Sequence, residues 1–314
     1  MNPHPDSIRL EDDATVVFEA SRRRLFGIAY RILGNASDAE DVVQETWVRW
    51  QLCERAAVRE PSAFLATAAT RIAINVLASA RHRRETYIGP WLPSPVDTSA
   101  DPTLGAERAE ALDLATLLLM ERLTPAERAA YVLREAFDYP YERIADILES
   151  TTAAVRQLVS RARKHLANSA PRAADRTAHR AFFRAFLDAA RTGDLAALEG
   201  LLAADAVSYT DGGGVVRRTA RRPIRGRETI VRFLSGVSQW FWDDIAVEHI
   251  EANGRAAVLL LRHGIPFALL TVTVRSLAIS QILWVMNPAK LASIAPAAVQ
   301  APDAPRRRQL VAQA

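Results

Sequence analysis

Apolar residues recur at helical spacing through the first half of the chain and give way to strand-like runs in the second. From 14 to 86 the pattern is helical, broken only by Gly27, Gly34 and Pro61. Within SDAEDVVQETWVRW, Ala39, Val42, Val43, Thr46, Trp47 and Trp50 form one stripe, and Asp38, Asp41, Gln44 and Glu45 stand off it. Residues 87–105, YIGPWLPSPVDTSADPTLG, hold four prolines and two glycines and are predicted to be a linker. Helices resume over 106–168. There LTPAERAAYVLREAF opens on a capping box, with Thr124 at the N-cap, Pro125 at N1 and Glu127 at N3. YERIADIL predicts a short helix, LEST a turn, and Ser150 or Thr151 a cap for the next helix. In that helix Val155, Leu158, Val159, Ala162 and Leu166 share one face. Helix, turn, helix is the arrangement that lays its second helix in a DNA groove.

The pattern changes over 178–290. RAFFRAFLDAARTGDLAALEGLL reads as two helices split at Gly193, and VSYTDGGGVV as a strand and glycine turn. IRGRETIVRFLSGVSQW reads as a helix. The runs IAVEHIEANGRAAVLLL, PFALLTVTV and LAISQILWVM read as short strands, with ANGR as a hairpin turn. The expected fold class is therefore multidomain: two all-α domains, then a separate α+β domain. Residues 1–13 and 291–314 are expected to be tails.

Charge matters through its placement. The 314-residue chain carries a net charge of only +4, too small to indicate nucleic acid by itself. Yet 153–176 hold six Arg or Lys against one acid, and Arg156, Gln157, Ser160, Arg161, Arg163 and Lys164 face away from the apolar stripe. Such side chains suit base edges and phosphates. Residues 71–84 carry Arg71, Arg81, Arg83 and Arg84 without an acid. Residues 38–45 carry four acids without a base, a face that repels DNA and suits a basic protein surface. One nucleic-acid partner and one protein partner follow. Cys53 is the single cysteine, which excludes an intramolecular disulfide and a cysteine-rich zinc site. No metal or cofactor is expected. The acidic start is not a signal peptide, and the most hydrophobic stretch, 256–274, is interrupted by Arg-His-Gly and Pro. A cytoplasmic protein without membrane contact is expected.

LFGIAYRILGNASDAEDVVQETWVRW followed by FLATAATRIAINVLASARHRR resembles region 2 of an extracytoplasmic-function (ECF) sigma factor. LTPAERAAYVLREAFDYPYERIADILESTTAAVRQLVSRARKHL resembles its region 4. The resemblance implies that Asp38, Asp41, Gln44 and Glu45 bind the β′ clamp of bacterial core RNA polymerase. It implies that Arg71, Asn75, Arg81 and Arg84 serve the −10 element of promoter DNA. It gives the −35 element to Arg156, Gln157, Ser160, Arg161 and Lys164. No catalytic residue is implied.

Residues 178–290 resemble a SnoaL-like domain of the NTF2-like fold, helices on a cone-shaped sheet. A SigJ-like group of these sigma factors carries that extension with three short signatures. They correspond here to Trp91-Leu92-Pro93-Ser94-Pro95, Asp211-Gly212-Gly213-Gly214 and Asn287-Pro288-Ala289-Lys290-Leu291. The group usually has acids where this chain has Ser94 and Ala289, which puts ionic contacts there in doubt. The implied role is tuning of activity in cis, as activator or inhibitor. Two other readings stay open. One is an operator-binding helix-turn-helix regulator, against which the acidic face argues. The other is a fused module whose cone holds a small ligand or a catalytic group, with Asp211, His249 and His263 as candidates.

Overall fold

The computed structural model describes residues 5–98, 113–167, 175–216 and 219–294. Three helices open the chain: α1 (Pro5–Leu33), α2 (Ala36–Leu52) and α3 (Pro61–Glu85). The first begins inside the segment expected to be a tail. Gly34, at φ +68°, ends it, and Asn35 caps α2 by accepting from the Ser37 amide. Leu25, Ile28, Ala29 and Ile32 meet Val42, Val43 and Trp50 of α2 and Leu65, Ala69 and Leu77 of α3 in one core. Residues 61–80 of α3 are long and apolar enough to cross a membrane by length and composition, but here they form the bundle's packed third helix.

Next come α4 (Leu114–Met120), α5 (Pro125–Glu135), α6 (Tyr141–Leu148) and α7 (Thr152–Ala167). The expected capping box is formed: Thr124 accepts from the Glu127 amide, and Glu127 accepts from the Thr124 amide. Glu149 ends α6 in the left-handed region at φ +51°, and Thr151 rather than Ser150 caps α7 through the Ala154 amide. The two helical units share a single core, because Leu133, Ile144, Val155 and Val159 pack in the same cluster as the α1–α3 residues.

The C-terminal domain comprises α8 (Arg176–Thr192), α9 (Leu195–Leu201), β1 (Leu202–Asp211), β2 (Ile224–Arg225), α10 (Arg227–Phe241), β3 (Ile245–Ala252), β4 (Arg255–Arg262), β5 (Ile265–Arg275), β6 (Ala278–Val285) and a short α11 (Pro288–Leu291). The sheet order is β2-β1-β6-β5-β4-β3, antiparallel except for the parallel β1–β6 pair. Asn253 and Gly254 make the expected hairpin turn with positive φ at both positions. Register shifts interrupt β1–β6, β4–β5 and β5–β6, and such bulges bend strands.

Both faces of this sheet are covered, which explains the uninterrupted run AAVLLL in β4. Val258 and Leu260 join Phe186, Ile230 and Trp284 beneath α8 and α10. Ala257, Leu259 and Leu261 point the other way and join Leu92, Leu114, Leu291 and Ile294. The back of the sheet is thus sealed partly by the segment between the two helical units. Over the described residues 86–98 that segment is a strap in which Leu92, Pro93, Ser94, Pro95 and Val96 are buried. Its prolines suit an extended path without backbone donors to satisfy. Residues 99–105 lie outside the described part, as does most of the 291–314 tail.

Candidate nucleic-acid, polymerase and interdomain surfaces

Helix α7 buries Val155, Val159, Ala162 and Leu166 and exposes Arg156, Gln157, Ser160, Arg161 and Lys164, the five residues expected to face the −35 element. The exposed row is partly engaged within the chain. Arg161 Nε donates to Glu127 Oε1 at 2.8 Å, which ties α7 to the capping box of α5. Burial pushes the Glu127 carboxyl up, but the bonds from Arg161 and Thr124 outweigh it and hold the group below the usual carboxylate range. Arg156 lies over the Tyr141 ring and is 3.8 Å from Glu142. Lys164 makes no ion pair among the described residues. The Arg156–Glu142 pair is exposed on both sides and contributes little, whereas Glu127 is buried, so moving Arg161 away would leave that carboxylate with its Thr124 bonds alone.

On α2, Asp41, Gln44 and Glu45 are exposed and Asp38 is half-buried in the first turn, where the helix dipole favours a carboxylate. Glu45 pairs with Arg49 at 2.9 Å on the same face. The four expected residues thus remain together on one helix, opposite the stripe that packs on α1.

The −10 set is less uniform. Asn75 is exposed on α3. The side chains of Arg81 and Arg84 lie outside the described residues. Arg71, expected to serve the −10 element, is engaged within the chain. Its Nε and Nη2 donate to the carbonyls of Ile147 and Asp146 at 2.9 and 3.0 Å, and its Nη1 sits 2.8 Å from Glu149. One guanidinium therefore satisfies the carbonyl end of α6, where the helix dipole is negative. It joins the first bundle to the helix-turn-helix.

The three short signatures converge on one buried node. Asp211, wholly buried at the end of β1, accepts from Tyr87 Oη and the Gly213 amide through Oδ1, and from the Leu92 amide and Lys290 Nζ through Oδ2. Lys290 also donates to the Leu92 carbonyl, and its ammonium lies 4.2 Å from the centre of the Trp91 ring. Asn287 donates to Tyr87 Oη at 2.9 Å and caps α11 through the Ala289 amide. Gly213, at φ +64°, leaves the space Asn287 needs: a Cβ there would lie 2.6 Å from its Nδ2. Burial and the facing Asp211 carboxylate push the Tyr87 phenol well above its ordinary range.

A second node lies on the far side of the strap. Tyr30 of α1 donates to the Ser94 carbonyl and accepts from Asn253 Nδ2 at 2.7 Å. Asn253 exchanges bonds with the backbone of Val96, its amide donating to Val96 O and its Oδ1 accepting from Val96 N, both at 3.0 Å. The Ser94 amide donates to the Gly34 carbonyl at 2.8 Å. Trp91 rests on Gly34, where a Cβ would come within 3.1 Å of the indole. The strap is held by α1 on one side and by the sheet on the other.

Comparison with known proteins bears on this arrangement. Residues 17–83 match the family Sigma-70 region 2, and residues 113–166 match Sigma-70, region 4. Over 227 residues the chain is 40% identical to the ECF RNA polymerase sigma factor SigJ of Mycobacterium tuberculosis, spanning 71% of this chain and 72% of that one. The chain belongs to the ECF RNA polymerase sigma factors. It is 34% identical over 188 residues to the probable ECF sigma factor SigI of the same species, spanning 59% of this chain and 65% of that one. The crystal structure of M. tuberculosis SigJ matches with a TM-score of 0.71 at 32% identity, covering 88% of this chain and 97% of that chain. A sigma factor is a transcription initiation factor and not an enzyme.

Within this sigma factor the alternative catalytic candidates do not form a constellation. Every oxygen of Asp211 is occupied, while His249 on β3 and His263 in the β4–β5 turn are exposed and share no bond with it. Ser94 and Ala289 line one cleft with Arg22 and Arg23 but make no ionic contact. Ser94 Oγ lies 3.4 Å from Asn35 Oδ1, and Ala289 contributes only its amide. Three residues of the nodes escaped the sequence reading: Tyr30, Tyr87 and Asn253. Asn253 gave a turn signal only, and nothing in the spacing marks Tyr30 or Tyr87.

Proposed function

We propose that this sigma factor reads the −35 element through Arg156, Gln157, Ser160, Arg161 and Lys164, and the −10 element through Asn75, Arg81 and Arg84. In the arrangement described here Arg71 serves the contact between regions, and it joins the −10 set only if that contact opens. Asp38, Asp41, Gln44 and Glu45 contact the core polymerase through charge complementarity. The protein acts in the cytoplasm, where the polymerase works.

The C-terminal domain regulates these activities in cis. The observation that carries this reading is the grip of Asp211 and Lys290 on both backbone groups of Leu92, in the segment that joins region 2 to region 4. A domain holding that strap biases how far the two promoter-reading units can separate. Its cavity is where a small ligand would set the bias. The test is affinity for core RNA polymerase and promoter, comparing the full chain, a chain ending near Asn168 and Lys290→Met. Equal behaviour of all three would remove the regulatory reading. A tighter truncated form makes the domain an inhibitor, and a weaker one a support.

A further inference from the structure

A cavity of about 420 Å³ lies between α10 and the inner face of the sheet. Its size falls in the range of small-molecule sites. Its walls are aromatic. Phe241 stands edge-on to Trp284, Phe267 and Trp242, with ring centres 5.7, 6.0 and 5.0 Å apart. Trp242 is fixed by donating Nε1 to the Ala190 carbonyl at 2.9 Å. Rings held at these angles leave faces and edges that suit a flat aromatic guest.

The polar content of the cavity is small and one-sided. Arg262 is the only ionisable side chain among the described residues that line it. It is exposed at the end of β4, and its guanidinium is stacked 5.0 Å from the Phe267 ring centre. No carboxylate among the described residues pairs with it. A guanidinium at the edge of an apolar aromatic chamber favours a planar anion and can bind it bidentately. A guanidinium offers hydrogen-bond donors and no acceptor, so the lining favours binding of an anion over acid–base turnover.

We propose that this cavity binds a small aromatic monoanion, its ring system among Phe241, Phe267 and Trp284 and its carboxylate on Arg262. The wall is continuous with the Asp211 node. Thr210 precedes Asp211 in β1, and the Met286 amide donates to the Asp211 carbonyl at 2.8 Å. Thr219 packs so closely on Gly212 that a Cβ there would lie 2.8 Å from its Oγ1. Thr210, Thr219 and Met286 all line the cavity. A guest would therefore press on the residues flanking the strap's anchor. This deepens the cis-regulatory reading and rests on it for its biological role, but the binding step stands alone.

The experiment is calorimetric titration of the full-length protein with three aromatic acids, naphthoate, indoleacetate and biphenylcarboxylate, each against its neutral primary amide. At least one acid should bind saturably, one to one, and about tenfold more tightly than its amide, the size of one charge-assisted contact. Arg262→Gln should erase that preference while leaving the amide's binding in place. Val237→Trp, which fills the chamber, should abolish binding of both, with an unchanged melting transition as the control for folding. Absence of saturable binding by all three acids overturns the proposal, as does a preference that survives Arg262→Gln. Core-polymerase affinity measured with and without a saturating acid reports separately on regulation. Unchanged affinity beside intact binding upholds the cavity assignment and removes its part in control.

Discussion

Lys290 Nζ lies 2.6 Å from Asp211 Oδ2, and neither residue is more than 6% exposed. The pair joins the first residue group after the sheet to the end of its first strand, and through Leu92 it holds the strap between the promoter-reading units. A buried pair of this kind is weak evidence for net stability, because desolvation offsets attraction. Breaking it from one side is costly, because the other charge is stranded.

Lys290→Met is therefore expected to destabilise the protein by about 3–5 kcal/mol, read from denaturant unfolding. The double variant Asp211→Asn with Lys290→Met should lose much less than the sum of the singles. Limited proteolysis should find the 87–98 segment newly cut in the single variant. Additive losses would show that the two groups do not act as a pair.

Gly213→Ala tests the same node sterically. The left-handed backbone costs a side chain about 1–2 kcal/mol, and the Cβ would also collide with Asn287. The melting temperature should fall, whereas Gly200→Ala, whose Cβ meets nothing within 4 Å, should leave it unchanged or raised. Equal effects at the two glycines would remove the steric account.

Arg161→Ala is expected to weaken binding to a −35 sequence by about 1–3 kcal/mol, provided the guanidinium reads a base. The loss should concentrate at one position of the site in a panel of substituted duplexes. A uniform loss across the panel would make Arg161 a phosphate contact instead.

Glu45→Arg should weaken binding to core polymerase without altering the melting transition, since the residue is exposed and loses only a surface pair with Arg49. Wild-type affinity in a folded variant would move the polymerase contact elsewhere on the molecule.

His179 predicts a pH dependence. It is buried, its Nε2 donates to the Val272 carbonyl at 2.8 Å, and burial holds its pKa below the ordinary 6.5. A depressed folded-state pKa means that the unfolded chain takes up the proton more readily. The contribution to stability is complete above about pH 6.5 and is lost as pH falls through and below that value. Melting from pH 7.5 down to 5 should show this slope, and His179→Gln should flatten it.

The helical units were readable because their signals are local. Thr124 and Glu127 are three positions apart, Thr151 caps the helix that follows it, and the apolar stripe of α7 repeats within two turns. The hairpin at Asn253-Gly254 was readable for the same reason. What escaped was contact at long sequence separation. The prolines of the strap signal an extended path, but whether such a path is exposed or buried depends on Leu259, Leu269 and Leu283, more than 150 residues away. Arg71 sits in a basic run with no acid near it in sequence, yet its partners are Asp146, Ile147 and Glu149. A count of local charge cannot detect a carbonyl group at the end of another helix.

The sealed back of the sheet has a consequence for how this sigma factor can be governed. Leu92 and Leu114 of the sigma half and Leu259 and Leu269 of the sheet cover one another, as partners do in an obligate complex. Here the partners are translated as one chain, so their stoichiometry is fixed at one to one. Synthesising more of the protein can never outrun its own attached domain. Any control exerted through that domain must change the balance between docked and undocked states, not the ratio of two gene products.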